Sequence, residues 1–318
     1  MSTPLVTIAI PTYNRAEEYL PEALRSAIGQ TYESLEILVV DNASTDSTAD
    51  VVQAHDHPGL RYLRQPTNVG PFRNFQRGLE EATGEYVVLL SDDDRLDSDF
   101  VATCVAALPA DRTVGYVRTG LRTIDDDGHT IKEWPNETAP AGGVEALLAW
   151  MDNRSYWALC NTLYNTALVR SLGGLPADYP LTFDCHLSAQ LALTYGSAEV
   201  AAPQASFRQH SQQFGRGVDV QAWADEWLAL YDLLLGTAPR PRRSEIRALG
   251  DVHFSHLLYQ YAERTHYPLH LLRNYAHVTR ALGPFRRRPS LRRAARSIGQ
   301  TTAKWIQASW RGDRASAL

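Results

Sequence analysis

About the first 110 residues of this chain alternate short apolar runs with amphipathic segments, and that alternation constrains the fold more than any other feature. The apolar runs at 5–10, 35–40, 60–63 and 86–90 are strand-sized, and helical patterns at 16–28, 47–54, 72–82 and 98–108 separate or follow them. Strands joined through helices cannot be paired by tight hairpins, so they lie parallel in one sheet with helices on both faces. Right-handed crossovers then decide which face each helix covers. The expected fold class is α/β, a Rossmann-like sheet flanked by helices.

In open sheets of this kind ligands bind beyond the carboxyl ends of the strands. The first run ends at Pro11-Thr12-Tyr13-Asn14-Arg15, the second at Asp41-Asn42-Ala43-Ser44, the third leads to Asn68-Val69-Gly70, and the fourth runs into Ser91-Asp92-Asp93-Asp94. All four clusters should share one rim. Three adjacent carboxylates repel one another at the end of a buried strand unless a cation joins them, and hard oxygen ligands suit Mg²⁺ or Mn²⁺. Acids also favour helix starts; the order of an apolar YVVLL strand followed by SDDD is what points to a metal.

Later in the chain Asp127-Gly128 reads as a turn between strands at 121–124 and 130–132. Helical patterns cover 144–151 and 186–195, and beyond residue 218 the pattern is almost entirely helical, broken at Pro239 and Pro241. With 44% hydrophobic and 21% charged residues the chain is expected to fold rather than remain disordered. No stretch approaches the roughly 20 apolar residues of a membrane span. The N-terminal MSTPLVTIAIPTYN has neither a basic region nor a small-residue cleavage site, so the expected location is the cytoplasm. Cys104, Cys160 and Cys185 form no CxxC pair and read as buried thiols.

The formal charge of −5 is unevenly spread. Residues 283–318 hold nine Lys or Arg against one acid, Asp313, a net of +8 that leaves −13 for the rest. Leu291, Ala294, Ala295, Ile298, Thr302, Trp305 and Ile306 recur there at helical spacing. Such a basic, amphipathic tail docks on the acidic body, joins a homo-oligomer, or lies peripherally on the inner face of a membrane. No nucleic-acid partner is expected.

The chain resembles the family 2 glycosyltransferases of the GT-A fold. The resemblance rests on IPTYNR at 10–15, LEILVVDNASTDST at 35–48, Asn68-Val69-Gly70, Ala82-Thr83-Gly84-Glu85-Tyr86 and the SDDD cluster, and it thins after about residue 110. It implies that Pro11, Tyr13, Arg15 and Asn68 border a nucleotide, that Asp41 bonds the base, and that Asp92 lies near the ribose or metal. The family motif reads acid-any-acid, and aligned from Tyr86 its first acid falls on Ser91. That makes Asp93 the principal metal ligand, helped by Asp92 and Asp94, with His210 either ligating the metal or donating to a phosphate.

Gly173-Gly174-Leu175 followed by LTFDCHLSAQLALTYG is similar to the family's segment that carries the catalytic base, and it puts Asp184 in that position. The family usually has Glu-Asp there; this chain has Phe183-Asp184. Phe207-Arg208-Gln209-His210 resembles the segment that returns toward the diphosphate, with Arg208 neutralising charge and Gln213 and Arg216 on a flap. Trp157 and Asn161, with Trp134 and Tyr156, lie between these segments and either contact an acceptor or fill the core.

The resemblance implies a single inverting displacement. A sugar leaves a nucleotide diphosphate donor, UDP first and dTDP second, for a hydroxyl on a saccharide, lipid-linked sugar or natural product. Mn²⁺ or Mg²⁺ assists, and Asp184 acts as general base. The expected domains are a GT-A glycosyltransferase domain at 1–217, split into a nucleotide half at 1–110 and an acceptor and base half at 111–217, then a helical region with its basic tail at 218–318. Two alternatives are a nucleotidyltransferase, against which the glycine-free 11–15 loop argues, and a catalytically idle sugar-nucleotide-binding scaffold.

Overall fold

Every residue of β1 (Val6–Thr12) is buried, as a strand covered by helices on both faces must be. The computed structural model describes residues 3–137, 143–213, 215, 217–263 and 268–282, and the chain divides into two compact units, Met1–His210 and Ser211–Leu318. In the first unit β1 is followed by α1 (Leu20–Ile28), β2 (Leu35–Asp41), α2 (Thr48–Gln53), β3 (Leu60–Arg64), α3 (Pro71–Glu81), β4 (Tyr86–Leu89) and β5 (Arg95–Leu96). Then come α4 (Phe100–Ala106), β6 (Tyr116–Ile124), β7 (Thr130–Trp134), α5 (Gly143–Met151), β8 (Thr162–Asn165), α6 (Thr166–Ser171), α7 (Phe183–Tyr195) and β9 (Ser197–Arg208).

The strands are ordered β3-β2-β1-β4-β8-β6-β9-β5, with β7 added on β6. The first four are parallel, with Thr12 opposite Asp41, Asp41 opposite Arg64 and Ala9 opposite Leu89. Beyond β4 the sheet is mixed, and the hairpin expected around Asp127-Gly128 is present as antiparallel β6 and β7. β8 runs antiparallel to both β4 and β6, β9 parallel to β6, and β5 antiparallel to β9. The β6–β9 register shifts on both sides of Gly120. Pro203 lacks the N–H a regular ladder needs, and a bulge opposite Gly120 absorbs it.

Side chains alternate between the two faces of the strands. Ile8, Ile10, Val39, Val88 and Leu90 pack with Leu20 and Leu24 of α1 and Phe100 of α4. Ala9, Val87 and Leu89 point the other way, to Leu79 of α3, Ala146 of α5, and Leu187 and Leu191 of α7. Each large side chain so buried contributes about 1.5–3 kcal/mol. The first helix starts at Leu20 rather than at residue 16. Asn14 takes a left-handed φ of 54°, and Pro21 sits in the first turn of the helix, where its missing N–H is not needed. Gly84 lets the lead into β4 pass close to β1, since a Cβ there would meet Thr7 N at 2.6 Å.

The second unit contains α8 (Val220–Thr237), a 3₁₀ turn (Arg240–Arg242), α9 (Arg243–Ala262) and α10 (Pro268–Leu282). Tyr231 of α8 stacks on Phe254 of α9 at 4.9 Å, and its hydroxyl donates to Asp251 at 2.7 Å. Tyr259 and Thr279 join α9 to α10 through their hydroxyls, 2.9 Å apart. Among the described residues no helix is long and apolar enough to cross a membrane. The basic tail at 283–318, with its apolar stripe, and Arg216 lie outside the described residues.

Candidate active site

The loops after β1 and β2 are locked together by their own polar side chains. Asn14 N donates to Ser44 Oγ at 2.9 Å, Thr45 N donates to Asn14 Oδ1 at 2.7 Å, and Ala16 N donates to Asp46 at 3.0 Å. The Asn42 amide extends the lock to the next loop, donating to Asn68 Oδ1 at 2.9 Å and accepting from Val69 N at 2.8 Å. Tyr13 stands 43% exposed on this rim, beside half-buried Arg15 and exposed Asn68. Pro11 is buried inside β1 opposite Val40, below the rim. Asp41 is also below it. It has no exposed surface, and its carboxylate accepts from Ser44 N at 2.8 Å, Tyr62 Oη at 2.5 Å and Arg64 Nη1 at 3.3 Å. In this structure Asp41 holds the loop rather than offering an open oxygen to a base.

The three consecutive aspartates take three different directions. Asp92 reaches toward the β1 loop, accepting from Tyr13 N at 3.3 Å. Burial and the neighbouring Asp93 charge push its carboxyl up to about 7, against the pull of Arg15 and Tyr13 N. Asp93 Oδ2 lies 2.8 Å from His210 Nε2. Asp94 turns inward, where it is buried and accepts from Arg208 N at 2.9 Å. Burial and Asp93 hold Asp94 well above the usual carboxylate range. As a metal ligand Asp94 is therefore displaced by its own structural bond: its work here is to tie the end of β9 to the strand-four turn.

Arg208 is likewise turned away from any diphosphate. It is 1% exposed, and Nε donates to Asp93 O at 2.8 Å while Nη1 donates to Asp125 O at 3.1 Å and Asp126 O at 2.8 Å. Nη2 pairs with Glu22, which also binds Arg95 at 2.5 Å. The guanidinium lies 4.9 Å over the Tyr19 ring. Arg208 is thus a clamp that joins α1, the aspartate turn and the β6–β7 hairpin. Burial raises the Glu22 carboxyl, but the two arginines outweigh it and hold it low. Neither Glu22 nor Tyr19 carries a sequence signal beyond an ordinary amphipathic helix.

His210 follows β9 and is buried, with its ring 4.8 Å from Tyr19 and Nδ1 lacking a hydrogen-bond partner. Asp93 and His210 bring one carboxylate oxygen and one imidazole nitrogen together, with the unpartnered Nδ1 on the far side of the ring. Mn²⁺ accepts such a set more readily than Mg²⁺, which prefers oxygen throughout. Asp93 and His210 are therefore a pair that fits a divalent ion, while the Asp92 carboxylate is turned to the β1 loop. Gln213 belongs to the second unit, three residues beyond His210. On the hairpin turn, ligand atoms of Asp125, Asp127 and His129 lie within 4.8 Å of one another, but Asp127 and His129 are solvent-exposed.

Asp184 sits in the first turn of α7. Phe183 packs against Phe72 and Phe75 of α3, each at 5.5 Å between ring centres. Because Phe72 opens α3 directly after the Asn68 loop, this packing brings Asp184 to the rim end of the sheet. Asp184 Oδ1 accepts from Cys185 N at 2.8 Å. Burial raises its carboxyl above the ordinary value, while Cys185 N and Arg118 act against that. The glycine pair that turns the chain toward α7 needs its residue type, with φ of 94° at Gly173 and 89° at Gly174.

Trp157 and Asn161 are core residues rather than acceptor contacts. Trp157 stacks on Trp150 at 4.6 Å and takes the Arg118 guanidinium on its ring at 4.7 Å. Asn161 is fully buried and bonds Thr119 O at 2.7 Å, Tyr156 O at 2.9 Å and Ala158 N at 3.2 Å. Its amide closes the turn before β8.

A sequence profile described as Glycosyl transferase family 2 matches residues 7–171, from β1 to the end of α6. This chain belongs to that family. As a family 2 glycosyltransferase it is similar to chondroitin synthase of Escherichia coli, 34% identical over 137 residues that cover 42% of this chain and 20% of the synthase. The match thus spans well under half the length of that relative. Among solved structures it is similar to TarS 1-349 of S. aureus in complex with UDP-GlcNAc, with a TM-score of 0.64 and 16% identity over 97% of this chain and 92% of that one. It is also similar to the mannosyltransferase PcManGT of Pyrobaculum calidifontis in complex with GDP-Man and Mn²⁺, with a TM-score of 0.57 and 22% identity over 98% and 83%. These likenesses establish the GT-A fold, and family membership sets the nucleotidyltransferase reading aside.

Proposed function

We propose that this glycosyltransferase moves a sugar from a UDP-linked donor to an acceptor hydroxyl with inversion at the anomeric carbon, assisted by a divalent cation, with dTDP the second choice of carrier. The observation that carries the reading is the 2.8 Å approach of Asp93 to His210, and the Phe183–Phe72 contact next to Asp184 supports the assignment of the base. Asp92, Asp93 and His210 would hold the ion. A bound divalent ion supplies charge neutralisation for the departing diphosphate. Support for a nucleotide sugar and for Mn²⁺ comes from what the two similar structures hold.

In this reading Asp184 accepts the acceptor hydroxyl proton as the new bond forms from that oxygen to the anomeric carbon. The bond from the anomeric carbon to the donor phosphate oxygen breaks, and its electron pair leaves with the nucleoside diphosphate. Tyr13, Arg15 and Asn68 border the nucleotide, and the Asn14, Ser44 and Asn42 bonds keep their loops in place. The test is a thermal-shift comparison of UDP, dTDP and GDP with and without Mn²⁺, since binding to the native state stabilises it in proportion to occupancy. A metal-dependent shift with UDP larger than with the other two is expected, followed by donor consumption and a product of inverted configuration. Equal shifts for all three without dependence on Mn²⁺, or a product that retains configuration, would refute the reading.

A further inference from the structure

Arg118, in the middle of β6, has no solvent exposure and no carboxylate within ion-pair distance among the described residues. Its Nε donates to Thr162 Oγ1 at 2.9 Å and its Nη2 to Ser188 Oγ at 2.8 Å, while Nη1 has no hydrogen-bond partner. The rings of Tyr116 and Trp157 flank it at 4.4 and 4.7 Å. A buried guanidinium without an ion-pair partner costs several kcal/mol of desolvation that neutral hydroxyls do not repay. Such an arrangement is poor design for stability alone, and it raises the question of which anion the charge serves.

Ser188 supplies the geometric answer. It lies four residues after Asp184, one turn along the same face of α7, so the guanidinium is fastened to the helix directly behind that carboxylate. Tyr164 of β8 joins the same cluster, its hydroxyl 3.3 Å from Ser188 Oγ. The groups that face Asp184 are Arg118 from β6, Tyr164 from β8 and Cys185 from α7 itself; α3 presents the apolar rings of Phe72 and Phe75 next door. Burial pushes Tyr164 and Cys185 up, so both stay neutral. Arg118 is then the charge that faces Asp184 among the described residues. Glu199 of β9 competes for it from the other side, with Oε1 unpartnered and Oε2 bonded to Asn136 at 3.0 Å.

We propose that Arg118 is the positioning residue of the Asp184 base: seated on Ser188 behind α7, its buried guanidinium is the counter-charge that keeps the Asp184 carboxylate ready to take the acceptor proton. The proposal rests on Asp184 being the base. Without the arginine, burial and the apolar wall of α3 favour the protonated carboxyl, which cannot accept. Thr162 and Ser188 are suited to the task because neutral hydroxyls fix the guanidinium without neutralising it, as a carboxylate in their place would.

The experiment measures kcat against pH at saturating donor and Mn²⁺ for the full chain and for Arg118→Lys, Arg118→Gln, Ser188→Ala and Asp184→Asn. In Arg118→Gln the acid limb should move up by about one pH unit, so that activity falls most at low pH and recovers at high pH, with donor KM unchanged. Arg118→Lys, which keeps the charge, should restore most of the wild-type limb. Should Arg118→Gln fail to fold, Ser188→Ala removes only one oxygen and frees the guanidinium to swing toward Glu199, and its acid limb should move up as well. A loss of kcat equal at every pH, or an unmoved limb in Ser188→Ala and in whichever Arg118 variants fold, would overturn the proposal while leaving Asp184 in place. Full turnover in Asp184→Asn would instead remove the base reading, and the proposal with it.

Discussion

His210 Nε2 and Asp93 Oδ2 meet at 2.8 Å across 117 residues of sequence, with the histidine ring 1% and the aspartate 16% exposed. The imidazole is thereby fixed beside the carboxylate before any ligand arrives. His210→Gln should weaken Mn²⁺ binding by at least about tenfold, the lower range seen when even a metal's outer shell is disturbed. Titration calorimetry with Mn²⁺ and UDP checks this, and an unchanged affinity would take His210 out of the metal site.

Asp184→Asn should lower kcat by about 10²–10⁴-fold, the usual share of general base catalysis, because an amide cannot accept the proton. In the proposed reading the donor is held by other loops, so the dissociation constant for UDP should stay within twofold. Single-turnover transfer and equilibrium binding measured on the same preparation separate the two.

Arg208→Ala should unfold the aspartate turn rather than only slow turnover. The change strands Glu22 with Arg95 and leaves the carbonyls of Asp93, Asp125 and Asp126 without a donor. Each buried carbonyl left without its donor costs about 1–3 kcal/mol, while Glu22, a third exposed, keeps Arg95. Urea unfolding followed by circular dichroism should show that loss in the absence of any nucleotide. If stability holds and only donor affinity falls, Arg208 serves the diphosphate after all.

Glu199 makes stability depend on pH in an unusual direction. Burial pushes its carboxyl up to about 7 from an ordinary 4.5, with Arg118 and Ser155 pulling the other way. Between those values the folded chain binds more protons than the unfolded one, so this group's contribution declines as pH rises from 4.5 to 7 and is level above. Glu199→Gln cannot ionise and should gain about 3 kcal/mol over the wild type at pH 8 but not at pH 4. Melting curves of both proteins at the two pH values decide it; parallel curves at both would show that Glu199 is not desolvated.

The four parallel strands and the acidic turn are legible in sequence because a strand buried on both faces must be continuously apolar, and 86–90 followed by SDDD leaves little else to form. Asp93 and His210 are reached through family resemblance, since no local pattern links a turn to a histidine so far along the chain. The inward turn of Asp94 and Arg208 is not legible. Three consecutive aspartates look alike in a sequence, and only the pairing of β5 with β9 decides which one meets a backbone N–H. β5 is two residues long, and β9 carries Pro203 and several exposed positions, so neither shows a strand period. Arg118 and Glu199 are hidden for a related reason: a charged residue in a strand pattern reads as solvent-facing, and only the stacking of β8, β6 and β9 puts Arg118 under α7 with Glu199 opposite it in the ladder.

The two-residue β5 is paired, among the described strands, only with the far end of β9, with Arg95 opposite Ser206 and Leu96 opposite Ala205. The pocket's acidic corner is consequently completed by one of the last strands of the unit to be made. During synthesis β1 to β4 and the loops that follow them leave the ribosome well before the segment that supplies His210, and a contact between such distant segments forms slowly because a long loop must close first. A nascent or truncated chain that ends before residue 197 would fold its β1–β4 layer yet lack a finished cation seat. If the proposed cation site is right, gain of Mn²⁺ affinity would mark the closing of β9 on β5, readable as a lag between nucleotide binding and metal binding when the denatured chain is diluted into buffer.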